Sequence, residues 1–146
     1  MERLVEQSPD QNRLSDALAK YNAKYHIAPA FRISERYDLN RQWNETLPDA
    51  RDTGCYIFYD ADMRLLYIGK SSLRNTLGRR VSSYFGNDPV SGGALPKHEG
   101  WTLPPAYLQT IKVNFAYEAP SLEEYLIETL QPSNNTRGLK AKVTPD

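Results

Sequence analysis

Residues 54–69 read GCYIFYDADMRLLYIG, and this stretch decides the fold class. Cys55–Tyr59 and Arg64–Gly69 are short, apolar and aromatic, and they flank the turn-like Asp60-Ala61-Asp62-Met63. Two such runs around a polar turn predict a β-hairpin. With the turn centred on Ala61-Asp62, Tyr56 falls opposite Tyr67, and opposite residues share one face of the sheet. Two phenols then leave adjacent strands in the same direction. Cross-strand aromatic pairs are also ordinary sheet stabilisers, and the chain has 10 Tyr, so the pair alone identifies no chemistry.

Outward from the hairpin, Leu18, Tyr21 and Tyr25 fall at helical spacing within Ser15–Tyr25 and predict a first helix. Asn75 or Thr76 is placed to cap a second, running to about Phe85. Residues 86–105 hold four Pro and four Gly and read as loop. Ile111–Tyr117 alternates apolar and polar residues and predicts a third strand. Ser121–Gln131 reads as a helix stopped by Pro132. The order helix, strand, strand, helix, strand, helix describes a small α/β (α+β) domain at residues 54–146. Residues 1–53 form an N-terminal helical extension expected to pack on it.

The 146 residues suit one domain, with 40% hydrophobic and 25% charged residues, as in a soluble globular chain. A lone Cys55 forms no intramolecular disulfide and fits a reducing, cytoplasmic compartment. One Cys and two His are too few for a usual structural zinc site. No run of about 18 apolar residues predicts a membrane span, and MERLVEQSPDQNRLSD lacks a signal-peptide core. Eighteen basic residues balance 18 acidic ones, which argues against bulk attraction to nucleic acid. The charges are unevenly spread, however. Met63–Asn87 carries Arg64, Lys70, Arg74, Arg79 and Arg80 without an acid, and Thr129–Pro145 carries Arg137, Lys140 and Lys142. Two positive zones on a neutral body suit a confined anion such as a phosphodiester backbone, although solvated basic faces have the same pattern.

Chemistry-bearing candidates lie along these elements. In the last helix Ser121-x-x-Glu124 has the form of a capping box, which gives Glu124 a structural explanation. Glu123 instead falls in the middle of the stripe formed by Leu126, Ile127 and Leu130. An unpaired buried carboxylate is costly unless a metal or cation compensates it, whereas one in a first turn can also simply reach water. Gly69-Lys70-Ser71 imitates the end of a phosphate-binding loop, but Arg64 stands where that loop needs Gly, so we reject it. Lys70 still places a cation beside Tyr67. Arg80 borders the apolar face of Leu77, Val81, Tyr84 and Phe85, placed either to snorkel or to clamp a phosphate. Lys97, His98 and Trp101 in the long loop are further candidates for touching DNA.

Together these residues resemble the GIY-YIG nuclease superfamily. The naming motifs stand as Gly54-Cys55-Tyr56 and Tyr67-Ile68-Gly69. YIGKSSLRNTLGRRVSSYF is similar to the same region of the excision-repair incision nucleases, with a few residues inserted before the Arg. The closing pattern matches at Glu123, Leu126, Ile127, Pro132 and Asn135, so the resemblance covers roughly residues 54–136. Cys55 departs from the usual Ile or Val, and the insertion leaves Arg79 and Arg80 as alternatives, with the RVSSYF context favouring Arg80.

The resemblance implies a three-stranded antiparallel sheet flanked by helices. It implies hydrolysis of DNA, duplex or branched, with one divalent metal, magnesium or alternatively manganese. Glu123 would hold the metal, Tyr56 would be the general base, and Tyr67 and Arg80 would polarise the phosphate, with Lys70 lowering a phenol pKa. Tyr84 would support Arg80, Asn135 would orient the site, and Lys70, Arg74, Arg79, Arg80 and Tyr84 would meet nucleic acid. A homodimer or an accessory DNA-binding partner would supply the affinity that the neutral body lacks. The competing class is a catalytically silent DNA-binding or protein-interaction module with the same fold, which would be expected to have lost Glu123, Arg80 or a Tyr.

Overall fold

The computed structural model describes residues 7–137 together with 140 and 141. Of the C-terminal basic stretch, Lys142 lies outside the described residues, as do the side chains of Arg137 and Lys140. Helix α1 spans Pro9–Lys24, starting earlier than Ser15 because Ser8 caps it. The Ser8 Oγ accepts the Gln11 N–H at 3.1 Å, and the Gln11 side chain accepts the Ser8 N–H at 2.9 Å. Strands β1 (Tyr37–Asp38), β2 (Gly54–Tyr59) and β3 (Leu65–Ser71) follow, then α2 (Leu77–Ser82). The long loop contains the short strands β4 (Phe85–Asn87), β5 (Ala94–Pro96) and β6 (His98–Glu99). It leads to β7 (Tyr107–Lys112), α3 (Glu118–Leu130), α4 (Ser133–Arg137) and β8 (Lys140–Ala141).

The main sheet has four strands, not three, in the order β1-β7-β2-β3. The added strand is the two-residue β1, which pairs antiparallel with β7 and is too short to leave a periodic signal. The third long strand lies at Tyr107–Lys112 rather than Ile111–Tyr117. Its pairing is dictated by β2, which begins at Gly54 opposite Lys112, so little partner remains beyond Val113. In the hairpin, Tyr56 pairs with Gly69 and Phe58 with Tyr67, with an irregularity between Phe58 and Tyr59. Tyr56 is therefore diagonal to Tyr67 rather than opposite it. A shift of two positions preserves the face, so the phenols still emerge together, their ring centroids 6.4 Å apart.

Both helix boundaries near the candidate residues moved. The helix after Thr76 ends at Ser82, since the chain turns there to send Tyr84 and Phe85 into the core and Phe85–Asn87 into a strand. Helix α3 begins at Glu118, whose side chain accepts the Phe115 N–H at 2.7 Å. Pro120 sits in its first turn, where its missing N–H costs nothing. The Ser121-x-x-Glu124 capping box is therefore not formed, and Ser121 Oγ instead pairs with the Tyr21 hydroxyl at 2.7 Å, tying α3 to α1.

Each face of the sheet carries a core. Cys55, Ile57, Ile68 and Ile111 pack with α1 and α3, and Tyr56, Phe58, Leu66 and Leu108 pack with α2 and the long loop. Strand β3 is the edge of the sheet, and its end carries half-buried Lys70 and buried Ser71. Two glycines make the strands fit. A Cβ at Gly54 would run into the Ile111 carbonyl of β7, and one at Gly69 would run into the Tyr56 phenol, which lies across it. The Gly54 contact is backbone, so neither partner can swing aside. Gly54→Ala is expected to cost about 1–3 kcal/mol by denaturant unfolding, and an unchanged midpoint would contradict this strand spacing.

Candidate active site

The end of the β3 edge is where the two cores meet. Tyr56 and Tyr67 come from the face covered by α2, Lys70 and Ser71 from the strand end, Arg80 from α2, and Glu123 from the first turns of α3. Tyr56, Tyr67, Lys70, Ser71, Ser72, Asn75, Arg80 and Glu123 line one cleft of about 210 Å³. Five residues singled out in the sequence thus converge across 68 positions of chain, from 56 to 123.

The phenols form a connected group. The hydroxyls of Tyr56 and Tyr84 are 2.7 Å apart, the Tyr67 and Tyr84 rings lie 6.0 Å apart, and the Arg80 guanidinium sits 5.5 Å over the Tyr84 ring. Burial pushes Tyr56 up to about 12, opposed by the Tyr84 hydrogen bond and the Arg80 charge. Burial also raises Tyr67 and Tyr84, which titrate above Tyr56. The Tyr84 hydrogen bond, followed by the Arg80 charge, favours the Tyr56 phenolate, and the same Arg80 charge acts in that direction on Tyr67 and Tyr84.

Glu123 lies beside, not in the middle of, the apolar stripe. Ala119, Leu122, Leu126 and Leu130 are the buried residues of α3, and Glu123 is half-buried at their edge. Its carboxyl is raised by burial, an effect that Lys70 and Arg80 oppose. No ion pair among the described residues involves Glu123, Lys70 or Arg80. The carboxylate is thus available to a ligand. No group of three or more His, Cys, Asp or Glu is clustered among the described residues, so the cleft holds no all-protein metal cage. A single carboxylate in a polar cleft fits magnesium, which keeps several waters and shares its remaining positions with substrate phosphate.

Other candidates stand outside the cleft wall. Tyr84 is behind Tyr56, and Arg74 and Arg79 are exposed without lining the cleft. Asn135 grips the backbone of β3, its Oδ1 accepting the Ile68 N–H at 2.7 Å and its Nδ2 donating to the Ile68 carbonyl at 2.9 Å. It therefore orients Tyr67 and Gly69 without facing the cleft. Trp101 and His98 turn inward, packing on Tyr84, while Lys97 is exposed. Sequence reading missed Ser71, Ser72 and Asn75, whose only signal was their position between the strand end and the helix cap. It also missed Asn134, fully buried beside Asn135.

Comparison with known proteins places the matching stretch over the same elements. A family model described as the UvrC-like GIY-YIG domain matches residues 52–136. The UvrABC system protein C of Prochlorococcus marinus subsp. pastoris is 35% identical over 112 residues, covering 77% of this chain and 16% of that protein. Its counterpart in Prochlorococcus marinus strain MIT 9312 is 31% identical over 121 residues, covering 83% and 17%. The protein of the same name in Flavobacterium psychrophilum is 38% identical over 93 residues, covering 62% and 14%. The chain thus spans about one sixth of the length of the first two relatives.

The buried phenols set an alkaline limit on stability. Unfolded tyrosines ionise near pH ~10, whereas Tyr56 holds its proton to about 12 and Tyr59 beyond that. Above about pH 10 the unfolded state therefore loses protons that the folded state keeps. Stability is intact below that point and falls as pH rises, by up to ~1.4 kcal/mol per unit for each fully buried phenol. Urea midpoints measured from neutrality to about pH 11 should drop steeply at the alkaline end. A flat profile would mean that these phenols are hydrated.

Proposed function

The chain belongs to the UvrC-like GIY-YIG domain family, and on that premise we propose that it is a metal-dependent endonuclease domain hydrolysing DNA phosphodiester bonds. The observation that carries this reading is the single cleft shared by Tyr56, Tyr67, Lys70, Arg80 and Glu123. Arg80 supplies a planar guanidinium suited to phosphate oxygens, and Tyr67 adds a phenolic donor beside it. Glu123 is the residue that would hold a divalent cation, magnesium or manganese. When bound, that cation would supply Lewis-acid neutralisation of the phosphate.

Tyr56 is the candidate general base. A phenol near 12 is almost wholly protonated at neutral pH, so acting as a base needs cationic stabilisation of its phenolate, and Arg80 supplies part of it. Tyr84, hydrogen-bonded to Tyr56, is placed to donate to a Tyr56 phenolate and hold the charge. Lys70 adds a second cation at the strand end. Duplex or branched DNA is the proposed substrate. With a formal net charge of +0, the body adds little bulk attraction, so a second copy or an accessory DNA-binding partner would supply affinity.

Supercoiled plasmid incubated with magnesium or manganese should be nicked or linearised, and EDTA should stop it. Glu123→Gln should abolish cleavage while leaving thermal stability equal or higher, because it removes a desolvated carboxylate. Tyr56→Phe should also lose cleavage with the fold retained. If both variants cut plasmid and branched DNA like the wild type, the cleft is not the catalytic site. If the wild type binds such DNA but never cuts it, the silent module is the better reading.

A further inference from the structure

Trp101 and Asn134 belong to no part of the reading above, yet they adjoin its centre. Trp101 lies in the long loop between β6 and β7, and its ring meets Phe58 at 5.8 Å, Tyr67 at 6.0 Å and Tyr84 at 6.4 Å. The first two contacts are edge-on, with interplanar angles of 83° and 78°. Such contacts fix the direction of a ring as well as burying it. Two of the three partners are phenols of the cleft group.

The loop is placed by Asn134. Its Nδ2 donates to the Gly100 carbonyl at 2.8 Å, and its Oδ1 accepts from the Thr102 N–H at 3.3 Å and the Thr102 hydroxyl at 3.2 Å. These bonds bracket Trp101 on both sides in sequence. The next residue, Asn135, grips Ile68 in the same two-handed way. Two adjacent amides on α4 therefore hold two separate backbones, one carrying Tyr67 and the other carrying Trp101. The two aromatic rings meet between them. We propose that Asn134 and Trp101 are positioning residues of the cleft, Asn134 holding residues 100–102 so that the Trp101 ring braces Tyr67 and Tyr84 from behind.

The indole nitrogen tells which property of Trp101 is used. Its Nε1 is buried and has no hydrogen-bond partner among the described residues, a state that costs stability rather than adding to it. The ring is held for its shape, so a phenylalanine should do the same work. The proposal rests on the reading of the cleft phenols as catalytic groups, so its test has an arm that needs no cleavage.

The full chain is used in a Trp43→Phe background, which leaves Trp101 as the one indole. Asn134→Ala should red-shift Trp101 emission and raise its quenching by acrylamide, with far-ultraviolet dichroism unchanged. On supercoiled plasmid with magnesium, Asn134→Ala and Trp101→Ala should each lower kcat by about tenfold or more with KM within about twofold. Trp101→Phe should restore most of kcat. Unchanged emission in Asn134→Ala overturns the clamp. Unchanged kcat in a wild type that cuts overturns the bracing role, as does a Trp101→Phe variant no better than Trp101→Ala. A wild type that cuts neither plasmid nor branched DNA overturns the nuclease reading instead, and the emission arm alone then decides whether Asn134 places Trp101.

Discussion

The grip of Asn135 on Ile68 is the constraint on which the cleft depends. Strand β3 is a sheet edge, and an edge strand carries backbone groups without a strand partner. Asn135 satisfies both the N–H and the carbonyl of Ile68, taking the place of one residue of a missing strand. The strand so fixed carries Tyr67, Gly69 and Lys70. Gly69 in turn leaves the space in which the Tyr56 ring lies, because a side chain there would collide with the phenol. One amide therefore sets the relation of both motif tyrosines to the helix segment that follows Glu123.

That helix segment is itself delivered by a sharp local device. Gln131 ends α3 in a left-handed conformation, with φ 50° and ψ 60°, and Pro132 prevents the helix from continuing. The chain reverses into α4, whose Asn134 and Asn135 face the loop and the strand. Glu123 in the first half of α3 and Asn135 in α4 are thus joined by one short, tightly turned span. Burial of Leu122, Leu126 and Leu130 against the sheet holds that span in place. The carboxylate and the phenols keep their separation because the same hydrophobic face that stabilises the helix also sets its distance from β3.

How much of this was legible in the sequence follows from the range of each signal. The hairpin was readable because its pattern is local, and the convergence of Tyr56, Tyr67, Lys70, Arg80 and Glu123 was anticipated from motifs in order along the chain. The register was misjudged by two positions, Tyr56 pairing with Gly69 rather than Tyr67; the irregularity between Phe58 and Tyr59 accounts for one of them, and nothing in DADM announces it. The α3 start was misjudged because Ser121 fits a capping box by composition, while Tyr21, a hundred residues away in sequence, claims its hydroxyl. Strand β1 has two residues and exists only because β7 offers an edge. The bracing of Trp101 left no local signal, because nothing in the loop records that Asn134 grips the backbone on both sides of it. Each miss is a case in which tertiary pairing overrode a local preference.

The electrostatics of the cleft reconcile a neutral protein with an anionic substrate. Lys70 and Arg80 outnumber Glu123 within it, so the cleft is locally positive although the whole chain is balanced. A field confined to a cleft acts on the phosphate that enters it and leaves the rest of a long polyanion unattracted. The same confinement acts on the phenols. Tyr56 is wholly buried, yet the hydrogen bond from the Tyr84 hydroxyl offsets part of that burial, and the Arg80 charge favours the phenolate at all three phenols. Losing the Arg80 charge would therefore weaken phosphate attraction and push the Tyr56 proton further out of reach in one step. Lys70, on the far side of the edge strand with Glu123, does not duplicate that role, because it opposes the desolvation of the carboxylate instead.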